Sequence, residues 1–254
     1  MLIAPFIGAT LLARQWHWLI VVTAGAVVAT FLAKEPLTIL ARQHYVWKQR
    51  RPETEQAKQW LAGLAGLLIV SASLLLLRWP LRDILILAFC AGAFSTLAVA
   101  MTIRNRQRQT WFQIGSAIAL TSSSLAACLS ATGRIEPWCW WFWGLSAAQA
   151  AAGILVVHAR LEARIAARKV GATGSTFRPP ALLAQAMLLA GALVFSILRR
   201  PWIAAALLIS AVANLWELGR QKDPSSLQLP LRKVGLRALT LSLVYSSFLI
   251  AGLW

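Results

Sequence analysis

The chain has 254 residues, of which 59% are hydrophobic and only 13% are charged, and its formal net charge is +17. A soluble domain of this length carries more surface charge, and its apolar residues do not form long runs almost free of acids. The positive charge does not indicate nucleic-acid binding, because the basic residues lie between the apolar runs rather than on a folded basic domain. The composition therefore predicts an all-α membrane protein whose partners are membrane lipids.

A helix needs about 20 residues to cross the hydrocarbon core of a bilayer. Nine apolar stretches are candidates for such spans: 1–13, 17–39, 59–77, 83–103, 111–131, 137–158, 181–198, 202–218 and 235–254. The first is short for a span, and the seventh and eighth are separated only by Arg199-Arg200-Pro201. Because a proline prevents the eighth helix from continuing the seventh, we expect a tight turn here. The sequence thus predicts a single transmembrane domain over 1–254, a bundle of about nine helices.

The basic residues are distributed unevenly between the two sets of alternate loops. The loops near 41–58, 104–110, 159–180 and 219–234 hold 17 of them, whereas the other set holds six. Loops rich in lysine and arginine stay in the cytoplasm. The pattern therefore predicts a cytoplasmic N-terminus and an outer C-terminus in a bacterial inner membrane.

All thirteen tryptophans lie near the ends of the predicted spans. Indole rings favour the headgroup level, where one edge meets water and the ring is buried in lipid. We therefore interpret the run from Pro137 to Trp143, which contains four tryptophans, as an anchor at the outer interface rather than as a cofactor-binding element.

The three cysteines, Cys90, Cys128 and Cys139, lie in apolar runs, so we expect them to be small buried side chains. Cys128 and Cys139 flank one outer loop, and a disulfide between them is the alternative. No Cys/His spacing suggests a zinc or iron–sulfur site, and the sequence predicts neither a metal nor a cofactor.

Two further patterns concern helix packing. Gly144, Ala148 and Ala152 repeat at four-residue spacing, which predicts a face of the sixth span that a neighbouring backbone approaches closely. The run from Thr121 to Ser124 could line a polar path. The favoured interpretation is that these hydroxyls bond to carbonyls one turn earlier.

Polar residues gather at the cytoplasmic ends of the spans, where function in a membrane protein is commonly found. The candidate ligand-binding residues are Glu35, Arg42, Arg104, Arg106, Arg108, Gln113, Arg160, Arg164, Asn214 and Glu217, with Asn105 and Arg220 close to them in sequence. Arginine suits an anionic ligand, because the guanidinium fork matches phosphate oxygens. The alternative is that these groups only set the topology and reach towards water without a ligand.

Two of these candidates lie in a distinctive context. Glu35 stands about a turn above the cytoplasmic end of the second span and precedes Pro36, which leaves a backbone carbonyl without its helical donor. An ion pair with Arg42 is the structural alternative to a role in function. Arg160, Arg164 and Arg168 share one face of a helix, and this stripe would hold anionic headgroups or a diphosphate.

Four stretches carry a resemblance to a known family: Met1 to Phe6, Arg104 to Arg108, Val157 to Glu162, and Arg232 to Gly235. They resemble the YwiC-like family of bacterial integral membrane proteins. In that family a His-Gly-Ala-Trp element usually comes first, so we expect that this chain starts too late and that its first span is short for this reason. The resemblance implies a polytopic membrane protein and no particular activity.

The predicted layout is also similar to that of the UbiA-type intramembrane prenyltransferases. In those enzymes, aspartate-rich motifs after the second and sixth helices bind magnesium and a prenyl diphosphate. The equivalent regions here, 41–58 and 159–178, contain no aspartate, and their only acids are Glu53, Glu55 and Glu162. Because a magnesium–diphosphate site needs several converging carboxylates, the resemblance implies a shared layout without metal-dependent prenyl transfer.

Three hypotheses of function follow. The first is a protein that binds lipid or an anionic isoprenoid-type ligand at its cytoplasmic side. The second is an intramembrane transferase of prenyl or lipid metabolism that lacks the aspartate-rich motifs. The third is a small-solute transporter, although no inverted repeat is visible. The sequence does not decide whether the protein is an enzyme.

Overall fold

The structure, a computed structural model, describes residues 2–48, 52–104, 106, 109–167, 178–221 and 231–254, with only the backbone described for Trp47 and Leu231. These residues form ten α-helices: α1 (Ile3–Ala13), α2 (Trp18–Arg42), α3 (Glu53–Leu76), α4 (Leu81–Ile103), α5 (Thr110–Thr121), α6 (Ser123–Thr132), α7 (Pro137–Ala166), α8 (Arg178–Ile197), α9 (Pro201–Arg220) and α10 (Leu231–Leu253). A π-helical turn, Gln43–Trp47, follows α2.

Each of the nine predicted spans coincides with helix in the structure, and the fifth consists of α5 and α6 together. Eight helical segments of the described residues are long and apolar enough to cross a membrane, whereas α1 has only 11 residues. At 1.5 Å per residue, α1 is about 16 Å long, roughly half the thickness of a hydrocarbon core. The described part of the chain is an all-helical, polytopic membrane bundle, as predicted.

The bundle is built around α7, which contacts α5, α8 and α9, while α2 packs against α3, α4 and α6. Helix α10 packs against α9 and α1. We call the end that holds the basic connections 41–58, 104–110, 159–180 and 219–234 the inner end, and the opposite end the outer end.

The tight turn between α8 and α9 is confirmed. Arg199 has a φ of +55°, the Arg200 amide donates to the carbonyl of Phe195, and Pro201 is the first residue of α9. A proline fits the first position of a helix, because the amide at that position has no helical acceptor.

The fifth span is divided in two at Ser122. Thr121, Ser122 and Ser124 each donate a hydroxyl hydrogen bond to a carbonyl three residues earlier, at 2.6–2.9 Å. Such bonds compete with the helical ladder and bend a helix. The favoured interpretation of these hydroxyls is therefore confirmed for three of the four, whereas Ser123 donates to the carbonyl of Leu2 at 2.8 Å.

Helix α1 lies in the outer half of the bundle. Its first turn meets Ser123 at the middle of the α5–α6 span, and at its other end the Arg14 guanidinium lies 3.9 Å from the Trp254 ring centre. Gly8 lies against the fully buried ring of Phe142, and a Cβ atom at Gly8 would be 2.5 Å from that ring. The glycine therefore permits α1 to approach α7 closely.

The predicted packing face of α7 is wrong for two of its three residues, since only Ala152 is buried. Gly144 and Ala148 are exposed, and no side-chain or neighbouring-helix atom would lie within 4 Å of a Cβ at Gly144. The packed face instead carries Phe142, Ser146 and Ala150. In a membrane both lipid-facing and core-facing positions are apolar, so the spacing of small residues does not by itself identify the interior.

The tryptophans agree with the predicted interfacial belts, with one clear exception. Trp140 and Trp141 are exposed, as an anchor requires, and seven other tryptophans of the described residues are exposed as well: Trp16, Trp18, Trp60, Trp111, Trp202, Trp216 and Trp254. Trp79 is instead buried against Leu19, Leu75 and Leu129.

Cys128 and Cys139 are buried, as predicted, but the default interpretation of them as separate side chains is wrong. Cys128 and Cys139 form a disulfide, with their Cα atoms 6.4 Å apart, and it joins α6 to α7 at the outer end. Cys90 is free and exposed rather than buried. The alternative disulfide is therefore the correct interpretation. Because disulfides persist in oxidising compartments, it agrees with the predicted orientation.

Candidate functional site

Three charged side chains from three helices meet near the inner end of the bundle. Arg160 of α7 donates from Nη1 to Oε1 of Glu217 on α9, and Arg237 Nη1 of α10 lies 3.8 Å from Oε2 of the same carboxylate. The Arg160 side chain is 6% exposed and that of Glu217 is 17% exposed. Burying a charge is costly unless it is paired, so this pairing explains how α7 keeps an arginine inside the bundle. We call these three residues the arginine–glutamate cluster.

An indole ring lies next to this cluster. The guanidinium of Arg220 lies 4.6 Å from the ring centre of Trp216, and that of Arg237 lies 5.9 Å from it. Both distances are within the range of cation–π attraction. Trp216 therefore contacts two guanidinium groups near Glu217.

A second polar contact lies one turn deeper in the bundle. Asn214 of α9 donates from Nδ2 to Oε1 of Gln185 on α8 at 3.0 Å, and Gln185 donates to the carbonyl of Ala181 at 3.2 Å. Gln185 is fully buried and Asn214 nearly so. Hydrogen bonds between side-chain amides join transmembrane helices. This one holds α8 against α9, one turn deeper than the arginine–glutamate cluster.

The inner half of α10 is uncovered. All residues from 235 to 240 are exposed, and six consecutive residues point to every side of a helix. The outer half is packed: Tyr245 and Leu249 are fully buried, and the Tyr245 hydroxyl donates to the carbonyl of Leu145 at 2.9 Å. The arginine–glutamate cluster therefore lies beside a helix segment whose sides are open to lipid.

Two of the predicted site residues, Arg160 and Glu217, are in contact, and Asn214 lies about one turn deeper on α9. Arg164 lies one turn further along α7 and is half-buried. The third member of the predicted arginine stripe, Arg168, lies outside the described residues. That these residues form a binding site stays a prediction.

The other predicted site residues lie elsewhere. Glu35 is exposed on α2. The ion pair with Arg42, the structural alternative for Glu35, is not formed between these two described residues, and Arg42 instead donates to the carbonyl of Thr102 on α4 at 3.4 Å. Arg104 and Arg106 are exposed in the connection between α4 and α5. Two predicted residues, Asn105 and Arg108, lie outside the described residues.

Gln113 belongs to a separate contact between α5 and α7. Its Oε1 lies 2.9 Å from Nε2 of His158, and both side chains are half-buried. His44, in the π-helical turn, is exposed and lies edge-on to Tyr45. His44 and His158 therefore have different neighbours in the structure. In the part of the chain that the structure describes, no three His, Cys, Asp or Glu side chains are close enough to hold a metal ion.

The prediction from sequence missed Arg237, Gln185 and Trp216. A signal for Arg237 was present, because it is an arginine inside the predicted span 235–254, and charged residues within spans are functional candidates. Trp216 was interpreted only as an interfacial anchor. Nothing in the sequence indicates that Gln185 faces Asn214, since that depends on how α8 and α9 are rotated against each other.

Comparison with curated proteins and with solved structures gave no match. The architectural similarity to UbiA-type enzymes therefore stays a prediction. The family profile described as YwiC-like protein matches residues 1–129, which is half of the chain and includes α1 to α5 and most of α6. The chain belongs to the YwiC-like family of membrane proteins.

Proposed function

We propose that this protein binds a phosphate-bearing lipid, of which a prenyl phosphate is one, through the arginine–glutamate cluster at its cytoplasmic side. The observation that carries the proposal is the pairing of two arginines, Arg160 and Arg237, with a single carboxylate, that of Glu217, at the inner end of the bundle. Two arginines and one glutamate give these three residues a formal charge of +1, and a guanidinium fork matches the oxygens of a phosphate headgroup.

Arg237 is the group that would contact the headgroup. Its side chain is 46% exposed and its distance to Glu217 is long for an ion pair, whereas Arg160 is buried and held by the same carboxylate. The guanidinium of Arg220, close to Trp216, adds a second positive charge at the same level. A phosphate would therefore meet Arg237 first and reach Arg160 only if Glu217 moved.

The uncovered half of α10 suits the apolar part of such a ligand. Leu236 and Leu239 are 63% and 53% exposed, and they lie on either side of Arg237 in the chain. A lipid tail along this helix would bury apolar surface while its phosphate stays at the headgroup level. This combination favours a lipid over a soluble anion.

The orientation of the protein in the membrane is part of this proposal. A phosphate site at the inner end faces the cytoplasm only if the basic connections are cytoplasmic, as the distribution of arginine and lysine predicts. We place the protein in a bacterial inner membrane on this basis, with the Cys128–Cys139 disulfide on the oxidising side.

The test is native mass spectrometry of the protein released from nanodiscs of phosphatidylcholine mixed with phosphatidylglycerol or with a prenyl phosphate. We expect the wild type to retain the anionic lipid and Arg237→Ala to retain several-fold less. The matched control is Arg104→Ala, because Arg104 is also exposed at the inner end but lies away from the cluster.

Equal losses in the two variants would show that the whole basic rim attracts anionic lipid without a defined site. Retention of phosphatidylcholine in equal amount by the wild type would also contradict the proposal. Soluble pyrophosphate added to phosphatidylcholine nanodiscs distinguishes a lipid from a free phosphate ligand, and we expect it to bind more weakly than the prenyl phosphate.

A further inference from the structure

The two oxygens of Glu217 are held unequally. Oε1 accepts from Arg160, which is buried, whereas Oε2 lies 3.8 Å from Arg237, a side chain that is nearly half exposed. Ion pairs of this exposed, long kind contribute little to stability. The contact between Glu217 and Arg237 is therefore the part of the cluster that an incoming anion displaces at least cost.

The same contact links α9 to the inner half of α10, beside the longer contact of the Arg237 guanidinium with the Trp216 ring at 5.9 Å. Residues 235–240 are exposed on every side, while the outer half of α10 is fixed at two levels. Tyr245 bonds to the carbonyl of Leu145, and Gly252 lies so close to Ile203 that a Cβ there would be 2.9 Å from the Ile203 backbone nitrogen. Helix α10 is thus anchored at one end and weakly tied at the other.

We infer that Glu217 is a displaceable counter-ion which keeps the lipid site closed, and that an anionic headgroup binds Arg237 in its place and releases the inner half of α10 from α9. The inference rests on the proposed function and adds how the site opens. Before binding, Glu217 bridges Arg160 and Arg237. After binding, the phosphate pairs with Arg237, and Glu217 pairs only with Arg160.

Competition of this kind makes an unusual prediction for Glu217→Gln. If Glu217 were part of the binding surface, the variant would bind anionic lipid more weakly. Because Glu217 competes with the lipid for Arg237, we expect Glu217→Gln to retain phosphatidylglycerol or prenyl phosphate about two- to fivefold more tightly, the factor that corresponds to loss of an exposed ion pair. Native mass spectrometry of lipid titrations in nanodiscs measures the ratio.

The opening of α10 is measured in protein whose Glu217 is intact, so it does not depend on how well the variant folds. Spin labels on Leu239→Cys and Val212→Cys report on the inner half of α10 against α9, and labels on Ser247→Cys and Val212→Cys report on the outer half. The three labelled positions are exposed. Both double-cysteine variants are made in a Cys90→Ala background, because Cys90 is a free and exposed thiol that would also be labelled. Cys128 and Cys139 stay joined in the oxidised protein.

We expect the Leu239–Val212 distance to lengthen in nanodiscs that contain phosphatidylglycerol, relative to phosphatidylcholine alone, while the Ser247–Val212 distance stays the same. Identical inner distances in both lipids, or weaker lipid retention by Glu217→Gln, would overturn the inference. If the wild type retains no anionic lipid, the proposed function itself fails. If the wild type retains it but α10 does not move and Glu217→Gln binds no better, only the inference fails.

Discussion

Arg160 and Glu217 are two charged side chains that the bundle almost completely encloses, at 6% and 17% exposure. Removing one member of a buried pair leaves the other as an uncompensated charge, which costs more than the pair itself contributes. Their contact is therefore best understood as a requirement for burying both groups, and Arg237 lies 3.8 Å from the same carboxylate.

We expect Arg160→Met to lower the free energy of unfolding by about 3 kcal/mol, because Glu217 then keeps only its long, partly exposed contact with Arg237. The double variant Arg160→Met/Glu217→Gln removes both charges and should recover at least half of that loss. Thermal unfolding in detergent, followed for both variants and the wild type, measures the difference. A double variant as unstable as Arg160→Met would contradict the pairing argument.

Glu35 differs from Glu217, because it is an exposed carboxylate rather than an enclosed and paired one. It is exposed on α2, and among the described residues no ion pair includes it. We expect Glu35→Gln to change stability by no more than about 0.5 kcal/mol, as surface substitutions do, and to leave the retention of anionic lipid unaltered. Loss of lipid retention in this variant, measured beside Arg237→Ala, would return Glu35 to the binding site.

At the scale of the element, α10 differs between its two halves. Its outer half packs through Tyr245 and Leu249, while its inner half exposes every side. A helix in lipid needs no cover for its backbone, since all its hydrogen bonds are internal. The uncovered half is therefore stable as a helix, yet few contacts fix its position relative to α9.

Two glycines of α10 provide a matched comparison. Gly252→Ala places a Cβ 2.9 Å from the backbone nitrogen of Ile203, whereas nothing lies within 4 Å of a Cβ at Gly235. We expect Gly252→Ala to lower the melting temperature by forcing α10 away from α9. Gly235→Ala should leave it unchanged or raise it, because alanine favours a helix by about 1 kcal/mol over glycine. Equal effects would show that the outer half is not the fixed end.

For the whole molecule, the basic connections and the disulfide indicate the same orientation in the membrane. The inner end carries the basic connections, and Cys128–Cys139 lies at the outer end. In a Cys90→Ala background, we expect a membrane-impermeant maleimide to label Arg200→Cys in intact cells and to label Arg104→Cys only after the membrane is opened. The reverse pattern would invert the bundle and place the arginine–glutamate cluster outside.

The disulfide has a test of its own. We expect the denatured protein to take up a mass-tagged maleimide at Cys90 alone, and at Cys128 and Cys139 only after reduction. Three tags without reductant would show that the two sulfurs are not joined.

The spans could be predicted from the sequence because the signals for each span lie within that span or at its two ends. Apolar length marks the helix, tryptophan and arginine mark its ends, and Pro201 marks the α8–α9 turn. The contacts of the candidate site join residues that are far apart in the sequence. The position of Glu217 at the cytoplasmic end of a span predicts a candidate site residue, but its partner Arg237 follows 20 residues later on another helix. Which polar side chains meet depends on how each helix is rotated about its axis. The same ambiguity made Gly144 appear to be a packing residue when it faces outwards.

We have proposed that Arg237 binds a lipid phosphate in competition with Glu217. The most direct measurement is a cryo-EM structure of the protein in nanodiscs that contain phosphatidylglycerol, at a resolution that shows the side chains. We predict density for a phosphate within hydrogen-bond distance of the Arg237 guanidinium, with Glu217 retained by Arg160 alone. Arg237 still paired to Glu217, with ordered lipids at other helices and none along α10, would contradict the account.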